Sequence, residues 1–178
     1  LGEYSALTAT GAFTLADCAR LLKRRGQAMA RAVQPGVGAM ALAMGAEMEQ
    51  AEKLAAAASA PGEVCEVAND NNPGGIVLSG HKAAVERTNA LCKEYGVRRM
   101  MPVAVNTPFH CSLMAPAARE MEEVLAKAAI VAPRAPVIAN VNVEAVSDPS
   151  VIRDLLVRQI TGRVRWRETV LSLRGRGV

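Results

Sequence analysis

Apolar positions recur along this chain at two different periods, and the change of period divides it. In "TLADCARLLKRRGQAMARAV", residues 14–33, Leu15, Cys18, Ala19, Leu22 and Met29 fall at helical spacing behind Thr14, a side chain suited to an N-cap. The preceding "EYSALTATGAF" reads as a first helix; Gly11 marks the break between the two, and Pro35-Gly36 ends the second. From about residue 37 the pattern shortens. "VGAMALAMG" predicts a strand, and "AEMEQAEKLAAAASA" an Ala-rich helix stopped by Pro61-Gly62. "EVCEVAND" and "GGIVLSG" predict two strands around an Asn-Asn-Pro-Gly turn. "HKAAVERTNALCKEYG" predicts a helix stopped at Gly96, and "VRRMMPVAV" a fourth strand. That order, βαββαβ over residues 37–105, is the split-βαβ, ferredoxin-like unit.

Beyond it the helical period returns. "APAAREMEEVLAKAAI" is amphipathic, "PVIANVN" predicts a short buried strand, and "DPSVIRDLLVRQITG" predicts a helix capped by Asp148 with Pro149 in its first turn. "RWRETVLSLRGRGV" opens one more helix. Residues 1–36 and 106–178 therefore read as parts of one larger α/β domain into which 37–105 is inserted. A helix opens the chain and a helix closes it, with no strand completing either end. The expectation is a piece of a longer protein.

Composition narrows the class. Half of the 178 residues are apolar but only 3% are aromatic, so the core must be built from Ala, Val, Leu, Ile and Met, as in an α/β protein. The net charge of +4 is densest at the end, where Arg153, Arg158, Arg163, Arg165, Arg167, Arg174 and Arg176 face few acids. Without interleaved aromatics or a known module this does not read as a nucleic-acid site; an acidic partner or a phosphorylated ligand fits it better. Cys18, Cys65, Cys92 and Cys111 form no C-x-x-C and, with His81 and His110, no metal-ligand spacing, so they read as buried free thiols. No stretch is long and apolar enough to span a membrane, and no signal peptide opens the chain.

"NTPFHCSLM", residues 106–114, is the candidate for chemistry. A histidine in such a loop can move a proton, though the same residue can equally be a hydrogen-bonded core or surface side chain. His81, between a strand and a helix, reads as a capping or surface residue. The glycines of "GGIVLSG" lack the spacing of a phosphate loop.

"LGEYSALTATGAFTLADCARLLKRRGQAM" resembles the segment that follows the nucleophile in malonyl-CoA:acyl carrier protein transacylases, whose motif is G-H-S-L-G-E-Y-S-A-L. The resemblance continues through "NDNNPGGIVLSGHKAAVER", "TPFHCSLM" and "IRDLLVRQITGRVRW", and so spans essentially the whole chain. It implies an α/β-hydrolase-like large domain, incomplete here, with a ferredoxin-like βαββαβ insert. The nucleophilic serine would precede Leu1, whose backbone N–H would serve as an oxyanion donor. His110 matches the histidine that takes the serine proton. Arg25 matches the arginine that grips the malonyl carboxylate, a task suited to a planar guanidinium. Met29 would line the acyl pocket or simply pack in the core. Phe109 matches the malonyl-selective form of its loop, with no room for an α-methyl branch. Asn71 and Asn140 match polar positions near the substrate; Asn71 also suits turn chemistry before Pro73-Gly74. The second oxyanion donor, on an upstream loop, and the carbonyl that orients the histidine, downstream, are both expected outside this sequence.

The implied activity is transfer of malonyl from malonyl-CoA to the phosphopantetheine thiol of acyl carrier protein in fatty-acid synthesis, with no cofactor and no metal. The chain alone is expected to be inactive, and the complete enzyme to be a monomer. A bacterial cytoplasm is the expected location, with mitochondrion or plastid as alternatives. Two rivals stay open: an inactive acyl-CoA or carrier-protein binding module, and the acyltransferase domain of a polyketide synthase.

Overall fold

A computed structural model describes residues 2–178. Helices α1 (Gly2–Ala9) and α2 (Leu15–Arg31) lead into strand β1 (Gly38–Met44). Helix α3 (Met48–Ala58), strands β2 (Cys65–Asn72) and β3 (Gly75–His81), helix α4 (Lys82–Leu91) and strand β4 (Arg99–Pro102) follow. The sheet order is β2-β3-β1-β4, antiparallel throughout. Helices α3 and α4 cover one face, burying Leu54, Ala55, Val85 and Ala84 against Ala41, Ala43, Ile76 and Leu78. The alternation expected of a half-covered sheet is visible in β1, where Ala41 and Ala43 face the helices and Met40 faces the other way.

The second layer is helical. A 3-10 turn at Ser112–Met114 enters α5 (Ala115–Ala126), which packs on α2 and on α6 (Pro149–Arg158). Tyr4, Leu7, Leu21, Met29, Met121, Leu125 and Leu156 are among the residues of its core. The short strands β5 (Val137–Ile138) and β6 (Ala145–Val146) pair beside α1, and α7 (Trp166–Gly175) ends the described chain. Asp148 caps α6 as its sequence suggests, accepting from the N–H groups of Ser150 and Val151. Thr14 caps α2 by accepting from Asp17 N.

Two side chains and one backbone segment are among the contacts that stitch the layers together. Val164 adds itself to the free edge of β2, donating to Ala68 O at 2.7 Å and accepting from Asp70 N at 2.8 Å. Arg167 then closes a 3.0 Å ion pair on the buried Asp70. On the other side Glu66 of β2 accepts from Ser112 N at 3.0 Å and from the Ser112 hydroxyl.

Several expectations need correcting. The buried stripe of α2 is Cys18, Leu21, Arg25, Ala28 and Met29; Leu15 is 78% exposed and Ala19 is also exposed. Leu15 is the first helical residue and projects past the layer that buries the rest, and Ala19 lies one step off the stripe. Helix α4 stops at Leu91, and Gly96, at φ +74, ends a run of turns instead of the helix. The strand expected over 97–105 holds only Arg99–Pro102, because the chain turns away once Val103 N has donated to Met40 O. "PVIANVN" yields two paired residues, and its partner β6 was not anticipated. All four cysteines are buried free thiols.

Candidate active site

His110 sits where the two layers meet. Phe109, half-buried, packs against the helical core and against the open face of the sheet. Pro108 lies so close to β1 that a Cβ on Gly38 would come within 2.3 Å of its ring. The loop is thereby pressed onto the strand, and Cys111 ties back to it by donating to Pro108 O at 3.2 Å. His110 itself has φ +58, the left-handed region, which costs a non-glycine residue about 1–2 kcal/mol.

What holds it there is two carbonyls. His110 Nδ1 lies 3.1 Å from Gln159 O and 3.0 Å from Gly162 O. Both can only accept, so Nδ1 carries the proton and Nε2 keeps its lone pair. Burial pushes the imidazole pKa below its usual value, and the positive charge of Arg25 pushes the same way; the two carbonyl bonds oppose them. The ring is therefore neutral at pH 7, with a fixed tautomer and a free basic nitrogen. The orienting carbonyl expected outside the sequence is thus inside it, supplied by the C-cap of α6 and the loop beyond. The chain turns back on itself after α6, which brings that end against the histidine loop.

Arg25 is buried on α2 at 9% exposure, pointing out of an otherwise apolar stripe. Its Nη2 donates to Gln159 Oε1 at 3.4 Å, and its Nε has no partner among the described residues. Burial lowers its pKa, while Tyr4 and Glu3 act against that. A guanidinium taken out of water without a paired carboxylate is costly unless an anion arrives.

Gln159 connects these groups. Its backbone carbonyl meets His110, its side-chain carbonyl meets Arg25, and its Nε2 donates to Glu3 Oε2 at 3.0 Å. The same Glu3 oxygen accepts from Asn140 N at 3.0 Å. Burial raises the Glu3 pKa, and the bond from Asn140 N is the largest effect opposing it. Asn140 spends its own side chain on the segment before α7, donating to Arg163 O at 3.0 Å and accepting from Arg165 N at 2.9 Å.

A cavity of about 590 Å³ opens here, with Glu3, His110, Asn140 and Gln159 among its walls and Val137 and Trp166 among the apolar ones. Arg25 is not in its lining; it lies behind Gln159, on the α2 side of α1. Met29, 3% exposed, is packed in the helical core, and Asn71 is exposed near the end of β2, away from these groups. Leu1 lies outside the described residues. Among the described residues no three His, Cys, Asp or Glu side chains are gathered as metal ligands. Glu3, Gln159 and Gly162 were missed from the sequence. Gln159 had a signal: as the C-cap of α6 it continues the apolar spacing of Ile152, Leu155 and Leu156 toward Ile160, and the structure buries it.

The model of the acyl transferase domain family matches residues 1–178. Malonyl CoA-acyl carrier protein transacylases of Salmonella typhimurium and Bacillus subtilis are 43% and 38% identical over the full chain. The chain spans 57% and 56% of the length of those two relatives. Among solved structures, an acyl carrier protein S-malonyltransferase from Vibrio cholerae is 45% identical with a TM-score of 0.96, over 99% of this chain and 57% of that one. A malonyl-transacylase solved in complex with a type II polyketide synthase acyl-carrier protein is 39% identical with a TM-score of 0.95, over 99% and 57%.

Proposed function

Because this chain belongs to the acyl transferase domain family, we propose that the protein containing it transfers malonyl from malonyl-CoA to the phosphopantetheine thiol of acyl carrier protein in fatty-acid synthesis. The observation that carries the reading is the double acceptor on His110 Nδ1, which leaves Nε2 as a neutral, oriented base. In the proposed reaction a serine preceding Leu1 attacks the malonyl thioester while Nε2 takes its proton. The imidazolium so formed returns the proton to the departing coenzyme A thiolate. The carrier thiol then attacks the malonyl-serine ester by the same steps in reverse roles. The backbone N–H of Leu1 is the proposed oxyanion donor.

Arg25 is the proposed anchor for the malonyl carboxylate, since it is a buried cation whose Nε has no partner among the described residues and whose bond to Gln159 is long. Phe109 supports a malonyl-sized acyl pocket by occupying the junction above the sheet, and Asn140 shapes the cavity wall; the core packing of Met29 favours a structural place for it over a pocket-lining one. Asn71, exposed near the end of β2 and outside the cavity lining, rests on the resemblance alone. No cofactor enters this scheme. A binding module without chemistry would have no use for a histidine held in a left-handed conformation by two carbonyls.

We read residues 37–105 as a ferredoxin-like insert, supported by the antiparallel order β2-β3-β1-β4. Residues 1–36 and 106–178 are read as parts of an α/β-hydrolase-like domain. The bacterial relatives support a bacterial cytoplasmic enzyme, and the complex with a carrier protein supports acyl carrier protein as partner. A monomer is proposed for the complete enzyme. The test is intact-mass measurement of the full-length protein after incubation with malonyl-CoA. A malonyl adduct that discharges on addition of phosphopantetheinylated carrier protein is expected; no adduct would defeat the reading.

A further inference from the structure

Glu3 has no part in the chemistry proposed above, yet it sits under both of the groups that do. Its Oε2 accepts from Gln159 Nε2 and Asn140 N, each at 3.0 Å. Gln159 in turn touches Arg25 through its side chain and His110 through its backbone. An amide side chain could flip and offer Arg25 its NH2 group, which would repel the guanidinium. A carboxylate on the far side forbids that flip, because it can only accept and so keeps the NH2 toward itself. The Gln159 carbonyl is then left pointing at Arg25.

We infer that Glu3 is a positioning residue for acyl selectivity: through Gln159 it fixes the guanidinium of Arg25 in the orientation that receives a substrate carboxylate. Asn140 N, held by the same oxygen, anchors the arrangement to the chain after β5 and keeps Glu3 from following Gln159 if the amide moves. The Glu3 charge helps to keep Arg25 protonated against burial, while the bond it makes goes to Gln159 and not to the guanidinium. The effect of losing Glu3 should fall on malonyl and spare acetyl, since acetyl has no carboxylate to place. The Gln159 backbone carbonyl belongs to the end of α6 and stays with His110 whatever the amide does.

This inference rests on the transacylase reading, and the experiment separates the two. In the full-length enzyme kcat/KM is measured for malonyl-CoA and acetyl-CoA with the parent, Glu3→Gln, Gln159→Ala and the double variant. Glu3→Gln keeps the shape and an acceptor oxygen but can no longer dictate which way the Gln159 amide faces. It should lower malonyl kcat/KM about tenfold, the scale of one charged hydrogen bond, and move acetyl by less than about threefold. In the Gln159→Ala background the same change should have almost no further effect, because the relay is already cut. If Glu3→Gln does not fold, Glu3→Asp takes its place: it keeps the charge but withdraws it from Gln159. Equal loss for both thioesters, or fully multiplying effects in the double variant, would overturn the inference. A parent that transfers no malonyl defeats the functional reading and this inference with it; an active parent whose variant keeps its selectivity defeats the inference alone.

Discussion

The sheet unit and the histidine junction are held together in different ways. In the sheet unit, partners are set by period: β1 pairs residue by residue with β3 from Gly38–His81 to Met44–Gly75, and every second side chain meets α3 or α4. At the junction, the contacts that matter join Glu3, Arg25, His110, Asn140 and Gln159, from five separate segments, through a few hydrogen bonds that mostly run through Gln159. The first kind of order is redundant, so losing one contact costs stability and little else. The second has few spare parts, so losing one partner is expected to tell on the chemistry before it tells on stability.

The sharpest test of that contrast is His110→Ala in the full-length enzyme. Acylation by malonyl-CoA should slow by about two to four orders of magnitude, as for other positioned acid–base groups, with substrate binding little changed. Rapid-quench measurement of the acylation burst checks it. A near-normal burst would mean that the junction holds His110 for structure alone.

Arg25→Ala should rank next. It removes the buried guanidinium near His110, and malonyl-CoA kcat/KM should fall by roughly 100-fold while acetyl transfer holds or rises. Lys at this position should restore only part, since it keeps the charge without the planar fork. Parallel kcat/KM values for the two thioesters decide it. Equal falls would make Arg25 a residue of the fold.

Gly38 breaks the division, because it is a sheet residue that answers to the junction. Its missing Cβ leaves room for the Pro108 ring, which a methyl would meet at 2.3 Å. Proline cannot swing away as a long side chain would, so Gly38→Ala should displace the loop that carries His110. Shifts of about an ångström at a catalytic group can cost up to ~100-fold, and about tenfold in kcat is expected for this smaller push. KM for malonyl-CoA should barely move. An unchanged kcat would show that the loop accommodates displacement without moving the imidazole.

The same division governs what could be read from the chain. The βαββαβ order and the caps Thr14 and Asp148 were legible because period and capping are local. Arg25 came from the family resemblance, and its buried place on the apolar stripe of α2 agrees with that match. Gln159, a polar residue in the apolar spacing at the end of α6, was open to a local reading, yet the acceptor for His110 was sought outside the chain. Glu3 offered no such signal, since its partners stand 137 and 156 residues away and backbone N–H groups look alike in any sequence. Leu15 misled for the opposite reason: periodicity assigns it a buried face but cannot tell that the neighbouring layer ends before it.

The smallest predicted effect is a shift in pH dependence, and it tests whether the junction's groups sense one another at all. His110 has its pKa lowered first by burial and second by the charge of Arg25. With the neutral imidazole as the proposed base, kcat/KM should rise with pH through the His110 pKa, and a lowered pKa should extend activity into mild acid. Arg25→Gln removes the cation that disfavours the imidazolium. The pKa should then rise toward its ordinary value, and the acid limb of the profile should move to higher pH. Malonyl-CoA cannot report this cleanly, because its binding also fails in the variant. Acetyl-CoA can, since it makes no use of the guanidinium, and its acid limb should shift upward while its plateau holds. An acid limb that stays put would mean that burial alone sets the histidine. Arg25 and His110 would then share Gln159 as a neighbour without sharing an electrostatic field.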